Sequence, residues 1–201
     1  MKLREFEIEL SNDKIKQIVD FALSHATHVV NKGRLPGSLE PEETAGLDYH
    51  VVSGEVVREK LSWLWERYST EWMDLVSEAV GVRCKPCSLD TISVNINVLN
   101  TTGSRYEWHV DSDPYSGVLF LTDHDEADGG EFVIEVEGER KKIYPRRGKM
   151  VLFDGTVCPH GVYPLKTNKP RVTVVMVFID PNRAQLTGEN EKQYSVELYG
   201  H

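Results

Sequence analysis

Two hydrophobic periods divide the chain near residue 82. In SNDKIKQIVDFALSHATHVV, a capping Ser11 or Asn12 precedes Ile15, Ile18, Val19, Ala22 and Leu23, which share one helical face and predict a first helix. A second helix is predicted through GEVVREKLSWLWERYSTEWMDLVSEAV, stopping at Gly81. Trp63, Trp65 and Trp72 recur at helical spacing within it, so they read as core rather than as a ligand platform. Between the helices, Asn31 to Gly54 is rich in glycine, proline and acids and reads as a long loop, either a lid or a solvated connection.

From residue 90 the period is two. TISVNINV sets Ile92, Val94, Ile96 and Val98 on one face and Ser93, Asn95 and Asn97 on the other. SGVLFLTD, GEFVIEVEG, RKKIYP, KMVLFDG and RVTVVMVFID follow, parted by turn-forming DEADGG, PRRG and PLKTNKP. Many short strands after two helices predict a mostly β (α+β) domain, an antiparallel barrel or jelly roll braced by N-terminal helices. The expected organisation is one domain over 1–201, with helical support and a candidate lid in 1–81, a jelly-roll core in 82–182 and a polar tail in 183–201.

Composition narrows the partners. The 201 residues suit one domain, and 40 % hydrophobic with 27 % charged residues is ordinary for a globular chain. A net charge of -9 argues against nucleic acid or an anionic membrane as partner. MKLREFEIEL has no apolar run, so neither a secretory signal nor a transmembrane helix is expected. Three cysteines fit a reducing cytoplasm; CKPC (Cys84 and Cys87) lacks the second pair a zinc site needs and reads as loop. Oligomeric state leaves no mark in the sequence.

The candidate chemistry starts at EWHVDSDPY. If this stretch is a strand, His109 and Asp111 point to one side and can converge on one divalent ion. His160, in VCPHGVYPLK after the strand KMVLFDG, can complete the two-histidine, one-carboxylate face of non-heme Fe(II) oxygenases. Arg171 opens the next strand and can pair bidentately with a carboxylate, with Thr173 two residues on and on the same face. The other candidates read as structural. His124 sits in an acidic turn and reads as solvated, His25, His28 and His50 lack partners at ligand spacing, and Arg146 and Arg147 read as surface charge.

Over roughly residues 90 to 182 the chain resembles the Fe(II)/2-oxoglutarate-dependent dioxygenases, in their prolyl-4-hydroxylase-like branch. The resemblance rests on Gly103 and Tyr106 ahead of HVD, then DGGEF, IYPRRGKMVLFDG, PHGVYP and KPRVTVVMVF. It implies a double-stranded β-helix, a cupin-like jelly-roll barrel, with His109, Asp111 and His160 on iron. It also implies Arg171 on the far carboxylate of 2-oxoglutarate, assisted by Thr173, with Tyr106 a candidate at the cosubstrate. Implied cofactors are Fe(II), 2-oxoglutarate and O2, with ascorbate as a candidate reductant. Where the family often has a cosubstrate-touching tyrosine, this chain has Leu99 and Asn100, leaving Asn97 or Asn100 as substitutes. Where prolyl hydroxylases often carry tryptophan, it has Val175, Met176 and Val177, which weakens the case for peptidyl proline. A carboxylate at Asp111, in place of the small residue of related halogenases, favours hydroxylation.

Three functions are therefore expected in order. The first is hydroxylation of an unactivated C–H in a small molecule, an amino acid or amino-acid-like metabolite; Asp111, Asp113 and the acids of 40 to 43 favour a cationic one. The second is a peptidyl (prolyl) hydroxylase with a peptide substrate. The third is a non-catalytic cupin-like binding or sensor module, for which Arg171 has no explanation.

Overall fold

The computed structural model describes residues 3–31, 34 and 37–183, so the tail expectation lies almost entirely outside the described residues. Edge strand β1 (Arg4–Glu7) leads into α1 (Asn12–His25), where the Ser11 hydroxyl accepts the Lys14 amide at 3.3 Å. Ile15, Ile18 and Ala22 are buried along α1. Leu23, expected on that face, is exposed, because at about 100° per residue it lies some 80° round from Ile15.

The first helix ends earlier than its pattern suggested. Thr27–Asn31 is strand β2, paired antiparallel with β3 (Leu47–Val52). The loop expected over 31–54 is thus partly sheet. The β-branched Thr27, Val29 and Val30 outweigh a helical period that had only one more turn to run, and Leu47, Tyr49 and Val51 alternate inward.

The second helix is interrupted rather than continuous. It divides into α2 (Gly54–Lys60), α3 (Ser62–Arg67), a π-helical turn over Tyr68–Trp72, and α4 (Met73–Val80). Leu61 breaks the first join with φ -124° and ψ 48°. The wider π turn turns both Tyr68 and Trp72 inward to full burial, and the Tyr68 hydroxyl donates to the Val177 carbonyl. Gly81 closes α4 at φ 73°, its amide bonded to the Ser77 carbonyl at 2.9 Å. Trp72 is core, while Trp63 and Trp65 are half-buried against it.

The remaining elements are β4 (Lys85–Pro86), α5 (Asp90–Ser93), β5 (Val94–Leu99), β6 (Tyr106–His109), β7 (Tyr115–Phe120), β8 (Phe132–Val136), β9 (Glu139–Ile143), β10 (Lys149–Asp154), β11 (His160–Val162) and β12 (Arg171–Ile179). They form two antiparallel sheets. The large one runs β1-β10-β7-β12-β5-β3-β2, with β4 also on β12, and the small one runs β6-β11-β8-β9. This is the expected mostly-β architecture with helices behind one sheet.

Alternation on β5 and β12 separates two environments. Val94, Ile96, Val98, Val172, Val174, Met176 and Phe178 pack against the helices in one apolar cluster. Asn95, Asn97, Leu99, Arg171, Thr173, Val175 and Val177 face the space between the sheets. Ile92 departs from its expected face: it belongs to α5 and packs with Leu99 and Tyr49 on the inter-sheet side. Among the described residues no helix is long and apolar enough to cross a membrane.

Candidate metal and anion site

The inter-sheet cavity measures about 120 Å³ and is lined by residues of both sheets. His109 ends β6 and His160 opens β11, directly opposite it in register. Their ring centroids are 4.2 Å apart. His160 is thus the first residue of its own short strand, just after the turn that follows β10. Asp111 lies just past β6, so strand alternation alone does not aim it. Its amide donates to the Gly155 carbonyl at 2.9 Å, and the Val110 amide to the Gly37 carbonyl at 3.0 Å.

The donor atoms of His109, Asp111 and His160 all lie within 4.8 Å of one another. Asp111 Oδ1 stands 3.3 Å from His109 Nε2 and 3.5 Å from His160 Nε2. Each imidazole turns Nδ1 to a backbone carbonyl, His109 to Glu107 at 2.8 Å and His160 to Cys158 at 2.9 Å. Those carbonyls accept, which fixes the tautomer and leaves both Nε2 lone pairs toward Asp111. The donor set and its spacing fit a divalent transition metal.

The electrostatics suit the same use. Burial works to raise the Asp111 carboxyl, but His160, His109 and the Ser116 hydroxyl prevail and hold it well below the usual carboxylate range. Burial pushes His160 down to about 4 against the pull of Asp111, so its imidazole is neutral at physiological pH. At His109 burial also opposes charge, but the hydrogen bond and charge of Asp111 prevail and raise it.

Arg171 occupies the same cavity at 1 % exposure. Its Nε donates to the Gly130 carbonyl at 2.7 Å, while Nη2 is buried with no hydrogen-bond partner. No carboxylate among the described residues pairs with it, and burial alone pushes it down to about 9. A buried guanidinium with an open donor could hold an anion there. Thr173 and Asn97 face each other across β12 and β5 beside it, and both line the cavity, as does Tyr106. Asn100 does not line it; it sits beyond the end of β5 and accepts from the Thr101 hydroxyl at 3.4 Å.

Other expectations resolve by position. His124 is buried rather than solvated, its Nε2 3.0 Å from the Pro170 carbonyl. Folding brings its acidic turn beneath the 164–170 connection, which sequence spacing does not show. Arg146 and Arg147 are exposed outside the cavity. His28 and Asp48 pair at 2.7 Å on the hairpin, with His50 stacked on His28 at 4.4 Å. Asp48 and His50 do not line the cavity; Tyr49 between them does.

Three residues escaped the sequence reading. Tyr49 lines the cavity and meets Tyr106 edge-on at 5.2 Å. The alternation of Leu47, Tyr49 and Val51 was the available signal. Ser116 donates to Asp111 Oδ2, and its signal was a lone hydroxyl in an apolar strand. Gly155 approaches the same carboxylate, and nothing local marks it.

Comparisons with known proteins follow the same geometry. Residues 94–179 match the family model described as the 2OG-Fe(II) oxygenase superfamily. No curated protein matches the sequence. Among solved structures, the chain is similar to an oxidoreductase of the 2OG-Fe(II) oxygenase family from Burkholderia pseudomallei, at 14 % identity and TM-score 0.64 over 89 % of this chain and 85 % of that one. It is similar to a Pseudomonas putida prolyl-4-hydroxylase at 16 % identity and TM-score 0.58, over 91 % and 94 %. It is also similar to the non-heme alpha ketoglutarate dependent epimerase SnoN from nogalamycin biosynthesis at 12 % identity and TM-score 0.66, over 93 % and 81 %. At these identities the likeness shows the fold alone, a double-stranded β-helix.

Proposed function

We propose, from the match of residues 94–179 to the 2OG-Fe(II) oxygenase superfamily, whose members use Fe(II), 2-oxoglutarate and O2, that the protein is a hydroxylase of an unactivated C–H bond in a small molecule, an amino acid or amino-acid-like metabolite. One observation carries the reading. A three-donor metal face and a buried, open guanidinium share a single cavity. His109, Asp111 and His160 hold the iron in this reading, and Arg171 binds the far carboxylate of 2-oxoglutarate. Thr173 and Asn97 flank that carboxylate, and Tyr106 packs beside it. Iron with 2-oxoglutarate and O2 supplies the oxidising chemistry, releasing succinate and CO2.

The chain's own residues set the conditions for that chemistry. The two Nδ1 bonds hold the imidazoles in the ligating tautomer, and burial keeps Arg171 from pairing with water in place of the cosubstrate. About 120 Å³ is less than the ~300 Å³ and upward of drug-sized pockets. It suits a compact dicarboxylate plus the reacting carbon of a substrate reaching in. Ser116 pairs with Val177, six residues along β12 from Arg171 and roughly 20 Å away. Asp113, buried and lining the cavity near that end, favours a substrate with a cationic group. Glu40, from the acidic stretch 40 to 43, instead pairs with Arg105.

The peptidyl reading keeps the same metal and cosubstrate residues and differs only in what enters. Succinate release measured without substrate, with a panel of free amino acids and with a proline-containing peptide separates the readings. Stimulation by amino acids alone supports the proposal, and stimulation by the peptide alone replaces it with the peptidyl reading. Metal-loaded protein that neither binds nor turns over 2-oxoglutarate refutes both and leaves the binding-module reading.

A further inference from the structure

The two oxygens of Asp111 have different surroundings. Oδ1 faces His109 and His160 at 3.3 and 3.5 Å. Oδ2 faces the opposite way and accepts the hydroxyl of Ser116, a buried residue of β7 paired with Phe153 and Val177. Gly155 closes the remaining side. A Cβ there would stand 2.2 Å from Oδ2 and 2.7 Å from the Asp111 Cβ. The Gly155 carbonyl holds the Asp111 amide at 2.9 Å, and its own amide is held by the Pro114 carbonyl at 3.0 Å, so the wall is fixed to the residue it confines.

Resting on the oxygenase reading above, we propose that Ser116 and Gly155 form a cradle that presents Asp111 to the metal through Oδ1 alone, making Ser116 a positioning residue of the site. A carboxylate bound through both oxygens takes two places on an ion, and the second is one that cosubstrate or O2 requires. The hydroxyl of Ser116 occupies Oδ2 with a charge-assisted hydrogen bond, and the absence of a side chain at Gly155 admits the carboxylate to that orientation. The order of the ligand is thereby settled before any ion arrives, which lowers the reorganisation that binding must overcome.

The test is Mn(II) affinity of the full chain, read from the spin-resonance signal of free Mn(II), for wild type, Ser116→Ala, Ser116→Thr and Gly155→Ala. Ser116→Ala is expected to bind about tenfold more weakly, as loss of one hydrogen bond to a charged group implies, with Thr restoring affinity to within about threefold. Gly155→Ala is expected to bind as poorly as Asp111→Ala. Thermal unfolding of each variant shows whether the fold persists, and Ser116→Thr keeps the test decisive where Gly155→Ala does not fold. Affinity of Ser116→Ala within about twofold of wild type, or a Thr variant no better than Ala, overturns the role of Ser116. A wild-type chain that binds no Mn(II) sinks the oxygenase reading and this role with it. Wild-type binding beside equally tight Ser116→Ala sinks this role alone.

Discussion

Replacing Arg171 with methionine should separate stability from cosubstrate binding, moving them in opposite directions. The guanidinium is buried at 1 % exposure, and burial pushes it down from its usual value to about 9. A displacement of that size corresponds to roughly 5 kcal/mol of unfavourable burial. Methionine fills a similar volume without the charge, while losing the Nε bond to the Gly130 carbonyl, which costs about 1–3 kcal/mol. The balance predicts a variant more stable than wild type by about 2–4 kcal/mol without cosubstrate, a rise in Tm of roughly 4–16 °C. With 2-oxoglutarate the order changes. Losing the charged partner of a desolvated carboxylate weakens binding by about 2–5 kcal/mol, or roughly 30- to 4000-fold. Thermal scans of Mn(II)-loaded protein with and without 2-oxoglutarate read both effects, since a ligand stabilises only the protein it binds. Unchanged 2-oxoglutarate affinity in a folded, metal-binding variant would refute the anion site at Arg171. A destabilised variant would refute the claim that the guanidinium is strained in isolation.

Three further outcomes are expected. His109→Ala, Asp111→Ala and His160→Ala should each abolish turnover and Mn(II) uptake, read by titration, while circular dichroism stays native; full activity in one removes it from the ligand set. Glu107, fully buried, accepts the Ser38 hydroxyl at 2.9 Å and the Gly46 amide at 3.0 Å, so Glu107→Ala should cost about 2–4 kcal/mol in denaturant unfolding and speed amide exchange at Leu39. Burial, with Arg171 and Lys169 adding to it, depresses His124, so the unfolded chain takes up its proton first as pH falls below about 6.5. Stability should therefore drop below that pH by up to about 1.4 kcal/mol per unit, and His124→Gln should flatten the slope measured by denaturant titration at stepped pH.

The large-sheet strands after residue 90 were legible because one face of β5, β7, β10 and β12 packs against the helices and the other faces the second sheet, which writes the period into the chain. The hairpin of β2 and β3 was not. Thr27 to Asn31 follows a helix without a glycine stop, and β3 lies beyond a turn-rich stretch that masks its alternation. The ligand and anion residues could be found from their chemistry, since few residue types serve and their order is distinctive. Ser116, Gly155 and Tyr49 were harder to read: Ser116, only five residues from Asp111, reaches it through a turn that strand alternation does not describe, and Gly155 and Tyr49 meet Asp111 and Tyr106 from far along the chain. His124 misled for the same reason: its burial comes from the 164–170 connection.

The small sheet has two outer strands, and each is closed to newcomers. On β6 the Trp108 amide donates to Glu40 at 2.8 Å and its carbonyl accepts the Leu39 amide at 2.9 Å, so the stretch 37–40 occupies the place a foreign strand would take. On β9 the exposed Glu139, Arg140, Lys141 and Lys142 leave the backbone edge ringed with charge. Open strand edges recruit other chains, and cover or charge is how folds prevent it. The stretch that looked from its composition like a lid therefore guards colloidal behaviour as well. Excising Leu35 to Thr44 would uncover the strand that carries His109, and the shortened protein should self-associate through that edge, whatever becomes of its turnover.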